Sequence, residues 1–184
     1  PAGTVARVES KVLAEAVRHV AFAAAAEDSR PVLTGVNVEL AGDKLTLAAA
    51  DGFRLAVHHA KLLAPVEQPL VAIVPARTLN EVARLLEEQQ EQVELVVPPQ
   101  RSQMLFRLKN VEVVSQLIQG TFPNYGQLVP QGHETRAVVD RGELLRATRT
   151  ASIFAKDGSG IIRLQLIPGE GGMGYLVDRE RAWR

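Results

Sequence analysis

Apolar and polar residues alternate along Thr4-Val5-Ala6-Arg7-Val8, the period of a strand with one buried face. The period then lengthens. Leu13, Ala16, Val17, Val20 and Ala24 recur at helical spacing and predict a helix over about residues 10–26, with Ser10 as its N-cap. Lys11, Glu15, Arg18 and Phe22 fall on a different stripe of that helix. Alternation returns at residues 35–40, 44–50 and 54–60, where Val36, Val38, Leu40, Leu45 and Leu47 mark half-buried antiparallel strands. Gly42-Asp43 and Asp51-Gly52 supply the turns between them.

The same order then recurs. A strand is expected at 71–74, and a helix at 77–88 with Leu79, Val82, Ala83 and Leu86 inward. Further strands follow at 93–97, 104–108 and 111–117, and the segment Pro65 to Pro69 reads as the joint between the two copies. A third copy runs from Arg136 through a helix at 142–154 to a strand at 160–167, and the pattern stops at Pro168-Gly169-Glu170-Gly171-Gly172. Tyr175 to Arg184 resemble neither a strand of the repeat nor a cap.

The copies can be aligned. Leu13, Leu79 and Leu144 correspond, as do Arg18, Arg84 and Arg149, at separations of 79 − 13 = 66 and 144 − 79 = 65. A period this long repeats a supersecondary unit, here βαβββ. Two units pair into one domain, so two and a half units predict an α+β chain with one full domain and the opening of another.

Composition narrows the chemistry. Among 184 residues, 46% are hydrophobic but only 4% aromatic, so Val, Leu and Ala must fill the core. Cysteine is absent, which excludes disulfides, thiol catalysis and Cys-based zinc sites and fits a reducing compartment. No apolar run approaches the roughly 20 residues of a membrane span, and no signal peptide is visible, since Pro1-Ala2-Gly3 leads straight into a strand-like segment. The formal net charge is +0, so nucleic-acid affinity would depend on a local patch.

An enzyme needs a constellation, and none stands out. His58 and His59 are adjacent on a strand and point to opposite faces, and His19 and His133 complete no metal motif. No metal or cofactor is expected. The clusters Asp157-Gly158-Ser159-Gly160 and Gly169 to Gly174 lack the Gly-Lys-Ser/Thr ending of a phosphate loop and read as hairpin turns. Asp51 reads as a turn residue. No Gly-x-Ser-x-Gly elbow occurs, and an unrecognised acidic pair is the only enzymatic alternative left.

The helix stripe is more informative. Lys11, Glu15 and Arg18 lie at i, i+4 and i+7, Arg77, Glu81 and Arg84 repeat the pattern, and Gly142, Arg146 and Arg149 take the same places in the third copy. A solvated face with i,i+4 pairs accounts for alternating charge. It does not account for cations flanking the carboxylate at the same two positions in both copies. Such a diluted stripe would attract phosphates weakly and without reading bases.

Three blocks carry a family resemblance: Arg30-Pro31-Val32-Leu33-Thr34-Gly35-Val36, then Leu47-Ala48-Ala49-Ala50-Asp51-Gly52-Phe53-Arg54-Leu55-Ala56-Val57, and Leu117-Ile118-Gln119-Gly120-Thr121-Phe122-Pro123-Asn124-Tyr125 followed by Val129-Pro130. In order and interval they resemble the bacterial DNA polymerase III β subunits, the sliding clamps, over roughly residues 5–167. The resemblance implies the DNA-clamp fold, with antiparallel sheets outside and helices lining an inner face. It implies that residues 1–130 are the clamp's middle domain and 131–184 an incomplete third domain. The implied function is a non-catalytic processivity factor that encircles double-stranded DNA without sequence preference, as a homodimer in the full-length protein. The implied location is the bacterial cytoplasm, at the nucleoid during replication, with no membrane partner.

By the same resemblance Lys11, Arg18, Arg30, Arg77, Arg84, Arg146 and Arg149 are the implied DNA contacts. Leu33, Ala50, Gly52, Phe53, Arg54, Leu55, Pro123, Gln127 and Leu128 are the implied lining of a pocket for peptide motifs of polymerases, the clamp loader and repair proteins. The family's C-terminal segment, which completes that pocket, has no counterpart here. The alternative from another class is a repeat-built adaptor that binds proteins and never meets nucleic acid.

Overall fold

A computed structural model describes residues 3–27, 29–87, 89, 91–100, 102–155, 161–168 and 174–180. The elements in chain order are β1 Thr4–Glu9, α1 Ser10–Val20, β2 Gly35–Ala41, β3 Lys44–Ala50, β4 Leu55–Lys61, β5 Leu70–Pro75, α2 Ala76–Leu86, β6 Gln92–Val97, β7 Gln103–Arg107, β8 Glu112–Gln116, α3 Arg141–Ala155, β9 Ile162–Pro168 and β10 Gly174–Glu180. The repeat is kept to the residue at its start: β1 maps onto β5 (70 − 4 = 66) and α1 onto α2 (76 − 10 = 66), end to end. Past the helix the offset falls to 92 − 35 = 57 between β2 and β6, so the first copy carries 66 − 57 = 9 extra residues there. That longer connection holds two 3₁₀ turns, Ala21–Ala23 and Pro31–Thr34.

The chain divides into two compact units, Pro1–Leu128 and Val129–Arg184. In the first, two four-stranded sheets have the orders β1-β6-β7-β8 and β4-β3-β2-β5. Each copy therefore gives its first strand to the sheet of the other. The registers are equivalent too: Thr4 stands opposite Val97 and Leu70 opposite Leu40, with 70 − 4 = 66 and 97 − 40 = 57. All these pairings are antiparallel.

One apolar core joins both sheets to both helices. Leu13, Val17 and Val20 of α1, Leu79, Val82 and Leu86 of α2, Leu40, Leu45 and Leu47 of one sheet and Leu95 and Phe106 of the other are all buried in it. Each such side chain contributes roughly 1.5–3 kcal/mol through burial. The inward residues expected of the second helix are all buried.

Three expectations are corrected. Ser10 does not cap α1: Glu9 holds that position, and the buried Ser10 hydroxyl donates to the Glu91 carbonyl on the approach to β6. The serine ties the exchanged strand to its host sheet. The helix also stops at Val20, short of residue 26, because the chain tightens into the Ala21–Ala23 turn and the Ala25 N–H donates to the Leu33 carbonyl at 2.8 Å. Third, Gly174–Glu180 is a strand, paired antiparallel to Ile162–Pro168. Its place as a strand comes from its pairing with β9, although its sequence does not alternate cleanly. The expected turns at 157–160 and 169–174 lie outside the described residues except for Gly174, which opens β10.

In the second unit α3 packs on β9 and β10. Leu145, Ile153 and Phe154 nevertheless remain exposed. Residues 135–140 occupy the place of β1 and β5 (135 − 70 = 65) but belong to no strand, and Val138 there is 86% exposed.

Candidate functional site

Burial of the apolar stripes turns the opposite faces of α1 and α2 outward, and the two helices pack side by side. Lys11, Glu15 and Arg18 on α1 and Arg77, Glu81 and Arg84 on α2 are all exposed. Arg18 reaches from α1 to the end of α2, with Nη1 2.7 Å from Glu87 Oε1. Arg84 Nε lies 3.1 Å from Glu81 Oε2 on its own helix. These side chains are more than half exposed, so each pair is worth about 1 kcal/mol at most and a phosphate can compete for the cation. Among the described residues no carboxylate comes within ion-pair distance of Lys11 or Arg77. On α3, Arg146 pairs with Glu143 and Arg149 is exposed.

Arg30 stands apart from this stripe. It lies in the extra loop of the first copy and lines a cavity of about 470 Å³ together with Leu33, Asp51, Gly52 and Phe53. The fold thus places an implied DNA contact among three implied pocket residues.

The β3–β4 turn gives this cavity its shape. Asp51 Oδ1 accepts the backbone N–H groups of Phe53 at 2.9 Å and Arg54 at 3.0 Å, and its Oδ2 accepts Arg54 Nε at 3.0 Å. The Phe53 and Arg54 backbone N–H groups, with the Arg54 charge adding to them, hold the Asp51 carboxyl below its ordinary pKa. Gly52 has φ +93, a conformation that strains any residue with a side chain. The result aims Phe53, 100% exposed, into solvent.

Arg54 is held a second way. Its guanidinium carbon sits 5.7 Å from the centre of the Phe22 ring, which accounts for an otherwise exposed aromatic on the first copy's extra loop. Ala50 and Leu55 are cross-strand partners at the base of the turn. Sequence periodicity had placed Phe22 on the helix stripe and gave no sign of its contact with Arg54.

Pro123 lies elsewhere. It lines a groove of about 650 Å³ with Asn37, Glu39, Val71, Ile73, Ile118 and Tyr125. Glu39 accepts from Asn37 Nδ2 at 2.7 Å and from the Tyr125 hydroxyl at 3.3 Å. Burial, followed by the Glu39 charge, raises the Tyr125 pKa. Gln127 closes a 3₁₀ turn, Tyr125–Gln127, and Leu128 after it is exposed. The residues of the expected pocket therefore form two groups, one at the β3–β4 turn and one at residues 123–128.

Among the described residues no three His, Cys, Asp or Glu side chains gather as a metal site, and no helix is long and apolar enough to cross a membrane.

Comparison with known proteins agrees with this architecture. Residues 7–124 match the family model of the DNA polymerase III beta subunit, central domain. The chain is 33% identical to the beta sliding clamp of Bacillus subtilis over 165 residues, covering 89% of this chain and 43% of that protein. It is 32% identical to the clamp of Staphylococcus aureus over 155 residues, covering 84% and 40%. A crystal structure of the sliding clamp from Pseudomonas aeruginosa bound to griselimycin superposes with a TM-score of 0.83 at 27% identity, over 96% of this chain and 49% of that one. The chain thus spans less than half the length of these relatives. With the family model matched across the two interlocked repeats, the chain belongs to the DNA polymerase III β-subunit family of sliding clamps.

Proposed function

We propose that this chain is a section of a ring that encloses duplex DNA and tethers replication proteins to it. In this reading residues 1–130 are the middle domain and 131–184 the opening of the third. The ring is completed by the remainder of a full-length protein and by a second subunit. The observation that supports it most is the pair of equivalent helices, α1 and α2, presenting cation, carboxylate, cation at matching positions on one outward layer. Weak ion pairs within that layer favour transient exchange with phosphates over a fixed hold. The chain itself performs no chemistry; it acts by topology, in the bacterial cytoplasm.

The DNA reading is tested by fluorescence anisotropy on two unrelated duplexes at about 150 mM salt. Both should bind with similar affinity, in the weak range of nonspecific complexes, about 10⁻⁴–10⁻⁶ M. The logarithm of affinity should fall linearly with the logarithm of salt. Absence of binding, or salt-independent binding, would favour the protein-adaptor alternative.

The tether is assigned to the β3–β4 turn, where exposed Phe53 accompanies half-buried Leu55, and to residues 123–128, where Leu128 is exposed. A bound peptide would anchor one apolar side chain there, and such anchors carry roughly 2 kcal/mol or more of binding. Leu55→Lys should weaken capture of a fluorescent clamp-binding peptide by at least about thirtyfold, because 1.4 kcal/mol is tenfold. Undiminished capture defeats the pocket assignment.

A further inference from the structure

The fold brings together two histidines that lie 39 residues apart, His19 near the C-terminal end of α1 and His58 on β4. Their Nδ1 atoms are 3.4 Å apart and their ring centres 5.1 Å apart, with the planes at 52°. His58 lies on the same face of β4 as Ala56 and Ala60, which pack against the core beneath α1. His59 turns to the other face, where its Nδ1 is 3.0 Å from the Thr46 hydroxyl.

The two Nδ1 atoms can meet directly only if one ring carries its proton there and donates it to the other, and 3.4 Å is long for such a bond. A shared proton would draw the nitrogens to the usual hydrogen-bond separation, about 2.7–3.2 Å. A tetrahedral metal ion asks for more. Two Zn–N bonds of about 2.05 Å at the tetrahedral angle put the nitrogens about 3.35 Å apart. The observed 3.4 Å accommodates that bite.

We propose that His19 and His58 form a two-histidine clip for a borderline divalent transition metal such as Zn²⁺ or Ni²⁺. His19 is exposed and His58 only half-buried, so water can complete the coordination sphere. No third protein ligand is needed for this open, exchangeable site. The ion would fasten α1 to the edge strand β4 and add positive charge one residue from Arg18. Arg18 itself points away, to Glu87, and the nearest carboxylate along the helix stripe is Glu15, one turn before His19.

Isothermal titration of the tag-free chain with Zn²⁺ tests the site. One equivalent should bind, and His19→Gln and His58→Gln should each weaken it by at least about tenfold, on the scale at which metal sites respond to altered surroundings. His59→Gln and His133→Gln should stay within about twofold of the native chain. No binding by the native chain, or equal binding in the His19 and His58 variants, overturns the proposal. A measurement on the unaltered chain guards against a folding defect. Zn²⁺ should protect His19 and His58, but not His59 and His133, from diethyl pyrocarbonate, as mapped by mass spectrometry. Modification of His19 and His58 at undiminished rate would equally overturn it.

Discussion

Val8→Asp should unfold both copies of the repeat in the first unit together. Val8 is fully buried in β1, and its register partner is Val93 of β6, in the sheet built mainly by the other copy. A carboxylate there has no water and no cation to face, and burying it uncompensated costs several kcal/mol. Domains of this size are held by about 5–15 kcal/mol in all. Protonating the group lowers the cost without removing it. The loss does not stay local, because β1 is a wall of the second copy's sheet while α1, directly after it, packs on β3 and β4 of the first. Far-UV dichroism and urea titration of the variant should show no cooperative transition. Val5→Asp, on the solvent side of the same strand, should change stability by about 0.5 kcal/mol or less. Persistent amide protection across β6, β7 and β8 in the Val8 variant would show that the copies fold separately, contrary to the exchange of strands.

Reversing charge at the equivalent positions, in the triple variant Arg18→Glu, Arg84→Glu and Arg149→Glu, should remove DNA affinity altogether. Three phosphate contacts account for about 2.7 of the slope of log affinity against log salt on duplex DNA. Replacing each cation by an anion also sets like charge against the phosphates. Fold stability should hardly change, since exposed pairs such as Arg18–Glu87 and Arg84–Glu81 contribute about 1 kcal/mol or less. The variant should therefore melt like the native chain while its anisotropy signal on duplex DNA disappears. In the full-length protein the same three changes should shorten retention on circular DNA. Unchanged retention would sink the assignment of these helices to the DNA-facing side.

The repeat could be read in the chain because period and offset are both local properties. Leu79, Val82, Ala83 and Leu86 announce a helix face wherever that helix docks, and the 66-residue offset then predicts α2 from α1. Partnership between strands is a different matter. Val8 and Val74 are equally apolar and equally able to pair with either sheet, so nothing in their pattern reports the exchange that places β1 beside β6 and β5 beside β2. Ser10 shows the same limit, since its type suits a cap and only the position of Glu91 reveals its actual partner. Tyr175 to Glu180 carries no strand pattern because strand identity there comes from pairing with β9 and not from alternation. In the candidate site the cation stripe followed from spacing. The Arg54–Phe22 contact, the approach of Arg30 to Gly52 and the meeting of His19 with His58 depend on how the nine extra residues fold and how α1 lies on β4.

The strand exchange also sets a clock on synthesis. Thr4 cannot pair until Val97 exists, 97 − 4 = 93 residues later, and ribosomes add about 5–20 residues per second. For some 5–20 s the apolar edge of β1 emerges with no partner. Over the same interval β2, β3 and β4 can form a local meander but lack the flanking strand that Leu70–Pro75 supplies only later. The nascent chain is therefore exposed to wrong pairings, above all with a neighbouring copy made on the same message, whose β6 offers the same register. Slowing translation between residues 60 and 92 should raise the yield of strand-exchanged dimers, because it lengthens the period in which another molecule's sheet is the only one available.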